Sequence, residues 1–188
     1  MKHCCLLFIC LLTALYMQAQ QLIWPAKKVE RAYEIVLKNP RAIISQIQYL
    51  EAFPKDKETF IAVFNPDDNK QLYSVSTEHI ALLQTIAGNL PDSVLRIGLG
   101  ICKTAKWSSG PVDKLQHMIL SVAAANPESF VNEIYLLKRK ERDAAVAFLA
   151  DVESNPPCPE YKALTDTLQK IGAHNIAGAL TRAKVNTH

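Results

Sequence analysis

Cysteine and histidine side chains could give this chain redox, nucleophilic or metal-binding chemistry. Three of its five cysteines lie within the first ten residues, and the other two are Cys102 and Cys158. The Cys-x-x-Cys spacing of a redox pair is absent. In an exported protein an oxidising compartment favours a disulfide, so we expect a Cys102–Cys158 bridge. The alternative is two separate thiols, with Cys102 buried in its helix.

Motifs for metal ions, nucleotides and hydrolysis are missing from the sequence. Beyond residue 20 the histidines are His79, His117, His174 and His188. No two of them lie at i, i+4, and neither HExxH nor a cysteine–histidine cluster occurs in the sequence. A calcium-loop outline from Asp67 to Glu78 has Leu72 where the turn needs glycine. We therefore expect no metal ion and no cofactor, and no motif identifies a catalytic residue. We expect the histidines to be surface or half-buried residues of helices.

Aromatic and basic residues in the connections are candidates for an interaction surface. Tyrosine and tryptophan are common interface anchors. The concentrated run of charge at residues 138–142 could contact anionic lipid or a negatively charged partner. Its alternative interpretation is a solvated turn, with basic residues favoured at the end of the preceding helix. The interaction candidates are Tyr73, Trp107, Lys138, Arg139, Lys140 and Arg142.

The first twenty residues have the pattern of a secretory signal peptide. A short basic start precedes an almost wholly apolar run over 4–16, and small and polar residues follow. This run is shorter than the roughly 20 residues of a membrane span, and an uncleaved N-terminal anchor is the alternative. We place cleavage after Ala19, which gives a signal peptide at 1–19 and a single domain at 20–188. The alternating Ala-Gln end resembles signals of Gram-negative envelope proteins, so we expect export to the periplasm or the cell exterior.

Composition excludes several classes of protein. Of 188 residues 49% are apolar, which is too many for a disordered chain, and the formal net charge of +3 is too mild to indicate nucleic-acid binding. Removing 1–19 leaves 169 residues and a charge of +2. The remainder holds no further apolar stretch of 18 residues, so we expect no transmembrane span after cleavage.

Apolar residues recur at helical spacing through the rest of the chain. The predicted helices span 40–52, 56–65, 77–89, 91–104, 112–125, 127–139, 142–153 and 159–171, with further stripes at 29–37 and 176–183. Asn39 and Pro40 are expected at the N-cap and first position of their helix. The alternating segment 71–76 predicts a lone extended segment. Gly98 and Gly100 fall inside a predicted helix, where small residues permit close helix packing.

Regular proline spacing indicates how these helices are arranged. Pro54, Pro91, Pro127 and Pro159 are 37, 36 and 32 residues apart, and an acidic residue follows each one closely. A period near 35 is typical of helix–turn–helix repeats, and the spacing resembles HEAT-type α-solenoids. We predict an all-α fold of about four stacked antiparallel hairpins, with an irregular helical bundle as the alternative.

These features favour a non-enzymatic repeat protein of the cell envelope that binds a protein or peptide. Stacked hairpins would present a surface for recognition. A small envelope hydrolase or lyase stays open as an alternative, because carboxylates that a fold brings together leave no sequence signature. A second alternative is an inhibitor or immunity-type partner of an envelope enzyme.

Overall fold

A computed structural model describes residues 25–67, 71–106, 110–152 and 158–186. Over these ranges the chain is all-α, as predicted, and contains no strand. No helix in the ranges is long and apolar enough to cross a membrane. The helices are α1 (residues 25–38), α2 (Ile43–Ala52), α3 (Lys57–Val63), α4 (Ser76–Ala87), α5 (Pro91–Cys102), α6 (Pro111–Ala125), α7 (Pro127–Leu136), α8 (Arg139–Ala150), α9 (Pro159–Lys170) and α10 (His174–Asn186). The predicted signal peptide at 1–19 lies outside the described residues.

Proline begins four of these helices. Pro91, Pro111, Pro127 and Pro159 occupy the first turn of α5, α6, α7 and α9, where the missing N–H has no intrahelical partner to lose. Pro54 precedes α3, which begins at Lys57, close to the predicted start at residue 56. There the Asp56 side chain accepts a hydrogen bond from the Thr59 amide at 2.8 Å and serves as the N-cap.

Two local predictions near the start of the chain are wrong. Asn39 ends α1 instead of capping α2, because its amide donates to the carbonyls of Ile35 and Val36. The segment 71–76 is not extended. Tyr73–Val75 forms a turn of 3₁₀-helix that leads into α4.

Helix pairs stack in two layers through the middle of the chain. α4 packs on α5, α6 on α7, α4 on α6, and α5 on α7, consistent with stacked hairpins. The regular solenoid is not confirmed, because α9 lies along α6, where it forms the most extensive helix contact in the described part. α10 packs against both α8 and α9. Residues of α6 thereby meet the start of α9, some forty positions later in the chain.

One apolar cluster runs through the described residues from Ala26 to Leu180. α5 and α6 approach closely within it at Gly98. A Cβ on Gly98 would lie 2.7 Å from Cγ1 of Ile119, which is fully buried. The expectation that this glycine permits close helix packing is therefore confirmed.

His79 lies inside this core, so the expectation of a surface or half-buried position is wrong for it. The residue is 1% exposed, and its ring centroid is 4.2 Å from that of Tyr33. The Tyr49 hydroxyl donates to the His79 carbonyl at 3.1 Å and lies 2.9 Å from Nδ1. Burial lowers the pKa of His79 to about 4, against an opposing effect of the Glu78 charge.

Acid should therefore destabilise the fold through His79. Because the folded pKa is lowered from 6.5 to about 4, its contribution to stability is complete above pH 6.5 and declines as the pH falls toward 4. This difference in pKa predicts that the free energy of unfolding is about 3 kcal/mol lower at pH 4 than at neutral pH. Urea unfolding between pH 7 and pH 4 measures it. His79→Gln should remove this part of the slope, and His174→Gln, at an exposed position, should keep it. An equal slope in both variants would show that other groups cause the loss.

Candidate functional site

A cleft of about 560 Å³ opens between α2, α5 and the end of α7. We call it the basic cleft. Its apolar lining comes from Ile47, Leu50, Ile97, Gly100 and Leu137. Its polar lining comes from Glu51, Lys55, Ser93, Arg96 and Lys103. An apolar lining with a few charged groups is typical of ligand sites, and the volume lies within their usual range of roughly 300–1,000 Å³.

The three cations of the basic cleft differ in how well they are neutralised. Arg96 donates to both carboxylate oxygens of Glu133, at 2.9 and 2.6 Å. Lys103 donates to Glu141 at 3.0 Å. Lys55 instead donates to the uncharged carbonyl of Leu50.

Burial and two neighbouring charges determine the pKa of Lys55. Although the residue as a whole is exposed, burial lowers the pKa of its ammonium to about 8, and the Lys28 charge lowers it further. Glu51 acts in the opposite direction. Of the three cleft cations, Lys55 is therefore the one whose charged form a bound anion would stabilise most.

Gly100 sets the position of Lys55. A Cβ at residue 100 would lie 2.6 Å from the Lys55 carbonyl oxygen, far inside van der Waals contact. Only glycine lets the connection between α2 and α3 cross α5 at this distance. The prediction of close packing is thus confirmed here too, although the neighbour is a loop and not a helix.

Among the predicted interaction residues that the structure describes, Tyr73 lies just before α4 and the basic residues lie at the start of α8. Tyr73 is 41% exposed, and its hydroxyl lies 3.3 Å from the Cβ position of Gly110, while Trp107 lies outside the described residues. The basic run begins directly after Leu137 of the cleft, and Lys138, Arg139 and Lys140 are exposed. Arg142 stacks over Tyr135 at 5.0 Å.

The basic run also lies at a different place on its helix than expected. Lys138 is the N-cap of α8, and the following basic residues form its first turn, where the helix dipole disfavours cations. Glu141 offsets this effect by accepting a hydrogen bond from the Lys138 amide at 3.2 Å.

The predicted Cys102–Cys158 disulfide is wrong, because both cysteines are free thiols. Cys102 ends α5 with 0% exposure, and burial raises the pKa of its thiol well above the ordinary range. Cys158 is the N-cap of α9. Since α9 lies along α6, the Cys158 thiol faces that helix instead of Cys102.

Cys158 belongs to a cluster with His117 and Glu160, which we call the His–Cys–Glu cluster. Its Sγ donates to Oε2 of Glu160 at 3.3 Å and lies 3.8 Å from Nδ1 of His117. His117 Nδ1 is 3.3 Å from the same Glu160 oxygen. On the other side of the imidazole, Oδ1 of Asp113 lies 3.7 Å from Nε2. One potential ligand atom from each of the three residues thus falls within a sphere small enough for a single ion.

Protonation in the cluster follows from these contacts. Burial raises the pKa of the Cys158 thiol, and Glu160 raises it further, against the amides of Tyr161 and Glu160. Burial alone would raise the pKa of Glu160, but hydrogen bonds from its own amide, Cys158 and His117 hold that pKa below its ordinary value. The cluster therefore pairs a neutral thiol with an ionised carboxylate, which does not favour a nucleophilic thiolate.

Sequence reasoning missed this cluster. From the sequence, His117 is a lone helical histidine and Glu160 is an acidic residue that complements the helix dipole. Two local signals existed: Asp113 and His117 share a helix face at i, i+4, and Cys-Pro-Glu begins a helix. Neither signal indicated that α6 and α9 pack together.

No family model, curated protein or solved structure matches the chain.

The close approach of the Lys55 backbone to Gly100 predicts that a side chain at residue 100 destabilises the protein. Gly100→Ala should destabilise the protein by about 1–3 kcal/mol, because the added methyl overlaps the Lys55 backbone and costs more than the helix propensity of alanine returns. Gly178→Ala in α10 is the matched control, since its Cβ would meet only the end of the Arg182 side chain. It should be neutral or stabilising by up to about 1 kcal/mol. Urea unfolding compares the two. An increase in stability from Gly100→Ala would contradict the proposed crossing.

Proposed function

We propose that this protein is an exported recognition module that binds a peptide segment of a partner protein in the basic cleft. The observation that carries the proposal is the Lys55 ammonium, desolvated at the rim of an apolar-lined cleft and paired with no carboxylate at hydrogen-bond distance among the described contacts. The signal-peptide pattern at 1–19 supports the export part of the proposal.

Charge complementarity specifies the partner segment. Arg96 and Lys103 already hold Glu133 and Glu141, so they contribute less to binding an additional anion than Lys55 does. A carboxylate of the partner that reaches Lys55 would replace a neutral carbonyl partner with a charged one. The carboxylate would add a Coulomb attraction between opposite charges that the carbonyl does not provide. We therefore infer a segment with an acidic residue beside Lys55.

The apolar part of the cleft specifies the neighbours of that acidic residue. Ile47, Leu50 and Ile97 come from two different helices and face the same space. Burying an aliphatic side chain there would contribute about 1.5–3 kcal/mol. The segment should thus combine one carboxylate with one or two large apolar residues. The exposed cations that follow Leu137 would favour further acidic residues at one end.

Selection from a random peptide library displayed on phage tests this function. Peptides that bind the purified protein should be enriched in Asp or Glu next to Leu, Ile, Val or Phe. Selected peptides would then be synthesised with a fluorescent label, and their dissociation constants measured by anisotropy. Enrichment of basic peptides, or of none, would contradict the proposal.

Removing the Lys55 charge should weaken binding selectively. Lys55→Gln should raise the dissociation constant of a selected peptide about 10- to 100-fold, corresponding to one charged hydrogen bond of about 1.5–3 kcal/mol. Lys170→Gln is the control, since Lys170 is exposed in α9 and away from the cleft lining. It should leave affinity unchanged, and thermal melts should show that both variants are folded. Equal affinities of the two variants would place the peptide site elsewhere.

A further inference from the structure

The His–Cys–Glu cluster is a second group of potentially functional side chains that the fold brings together. It lies on other helices than the basic cleft. His117 lies in the middle of α6, and Cys158 and Glu160 lie at the start of α9. Their potential ligand atoms, one imidazole nitrogen, one sulfur and one carboxylate oxygen, all lie within 4.8 Å of one another. We propose that His117, Cys158 and Glu160 bind a divalent transition-metal ion, with Zn²⁺ as the ion.

The spacing of the three atoms fits tetrahedral zinc. Zinc binds nitrogen and oxygen at about 2.0–2.2 Å and sulfur at about 2.3 Å, so tetrahedral ligands lie about 3.4 Å apart for N and O and about 3.6 Å for S and either. The structure has 3.3 Å between Nδ1 and Oε2, 3.3 Å between Sγ and Oε2, and 3.8 Å between Sγ and Nδ1. Each separation differs from the tetrahedral value by at most about 0.3 Å. The ligands thus form one face of a tetrahedron before any side chain moves.

The ligand types select the class of metal. A set of one sulfur, one nitrogen and one oxygen suits borderline ions such as Zn²⁺ and does not suit Mg²⁺ or Ca²⁺, which take six or more oxygens. Two of the ligands are anionic when bound to the ion, because metal binding requires the thiolate form of cysteine. The positive ion would also stabilise that thiolate beside the Glu160 carboxylate, whose negative charge otherwise disfavours it.

Asp113 occupies the position of an outer-shell partner. When Nδ1 of a histidine binds a metal, Nε2 carries the proton, and a carboxylate that accepts this proton orients the ring. Asp113 lies one helical turn before His117, with Oδ1 3.7 Å from Nε2. The two nitrogens of His117 therefore face different partners, a ligand cluster on one side and a carboxylate on the other.

Two of the three proposed ligand residues border an accessible space. The side chains of His117 and Glu160 are 39% and 33% exposed, and both line a cavity of about 290 Å³ between α4, α6 and the start of α9. Lys114 lines the same cavity, and its ammonium donates to the Thr77 hydroxyl. Three protein ligands with an open fourth position allow water or a small anion to complete the coordination. The cavity also provides a path for the ion to enter.

Cobalt titration of the purified, reduced protein tests the site. Co²⁺ replaces Zn²⁺ in such sites and gives intense visible bands when tetrahedral, with a near-ultraviolet charge-transfer band when a thiolate is a ligand. We expect both bands to saturate at one equivalent and to disappear when Zn²⁺ is added. Failure to reach a saturable spectrum at micromolar protein would overturn the proposal.

Matched variants assign the ligands. Glu160→Gln should weaken Co²⁺ binding strongly, whereas Glu128→Gln should not, although Glu128 also follows the first proline of its helix. Cys158→Ser should abolish the charge-transfer band, and His174→Gln should leave it unchanged. Asp113→Asn should keep both bands but raise the dissociation constant roughly 10- to 100-fold, as expected for an outer-shell partner. Circular dichroism without metal establishes that each variant is folded.

Two results would overturn the assignment specifically. A charge-transfer band that survives Cys158→Ser would locate the thiolate ligand elsewhere. Equal weakening by Glu160→Gln and Glu128→Gln would indicate nonspecific binding to acidic residues. Peptide binding in the basic cleft is measured separately, so failure of one proposal is distinguishable from failure of the other.

Discussion

The contact between α6 and α9 is the constraint on which most of this structure depends. Without it the chain would be a run of hairpins, each packed on its neighbours in sequence order. Because α9 lies along α6, α10 can pack against both α8 and α9, and the stack ends in a closed group of helices. The same contact turns Cys158 away from Cys102 and toward His117. A departure from the regular repeat thus assembles the His–Cys–Glu cluster.

Close backbone approach has a comparable role at the other candidate site. Gly98 allows Ile119 of α6 to pack closely on α5. Two residues later, Gly100 allows the connection between α2 and α3, which contains Lys55, to cross the same helix. Gly98 thus contributes to core packing, whereas Gly100 determines the position of the charged Lys55. Since Lys55 is held over an apolar lining, its charged form is less stable than that of a freely solvated lysine. The proposal of a recognition site in this cleft depends on the position of Lys55 more than on the number of cations nearby.

The ionisable groups of this protein differ in whether their charges are paired within the fold. Arg96 and Glu133, or Lys103 and Glu141, form pairs whose charges are satisfied within the fold. His79 differs, because burial beside the Tyr49 hydroxyl favours its uncharged form. Lys55 instead donates to an uncharged carbonyl, and the His–Cys–Glu cluster brings three potential metal ligands together. These two arrangements are the basis of the two proposals of ligand binding.

Local sequence determined a large part of the fold. Helical periodicity and the first-turn prolines at residues 91, 127 and 159 located the helix starts, because these signals act within one or two turns of the backbone. Errors arose where a neighbouring element competes for the same residue, as when the Asn39 amide bonds to α1. Tertiary structure alone decided that α9 would lie on α6, and hence that His117 would meet Cys158 and Glu160. Such pairing depends on the shapes of whole helix faces and on chain closure across some forty residues, and no spacing within one helix records it.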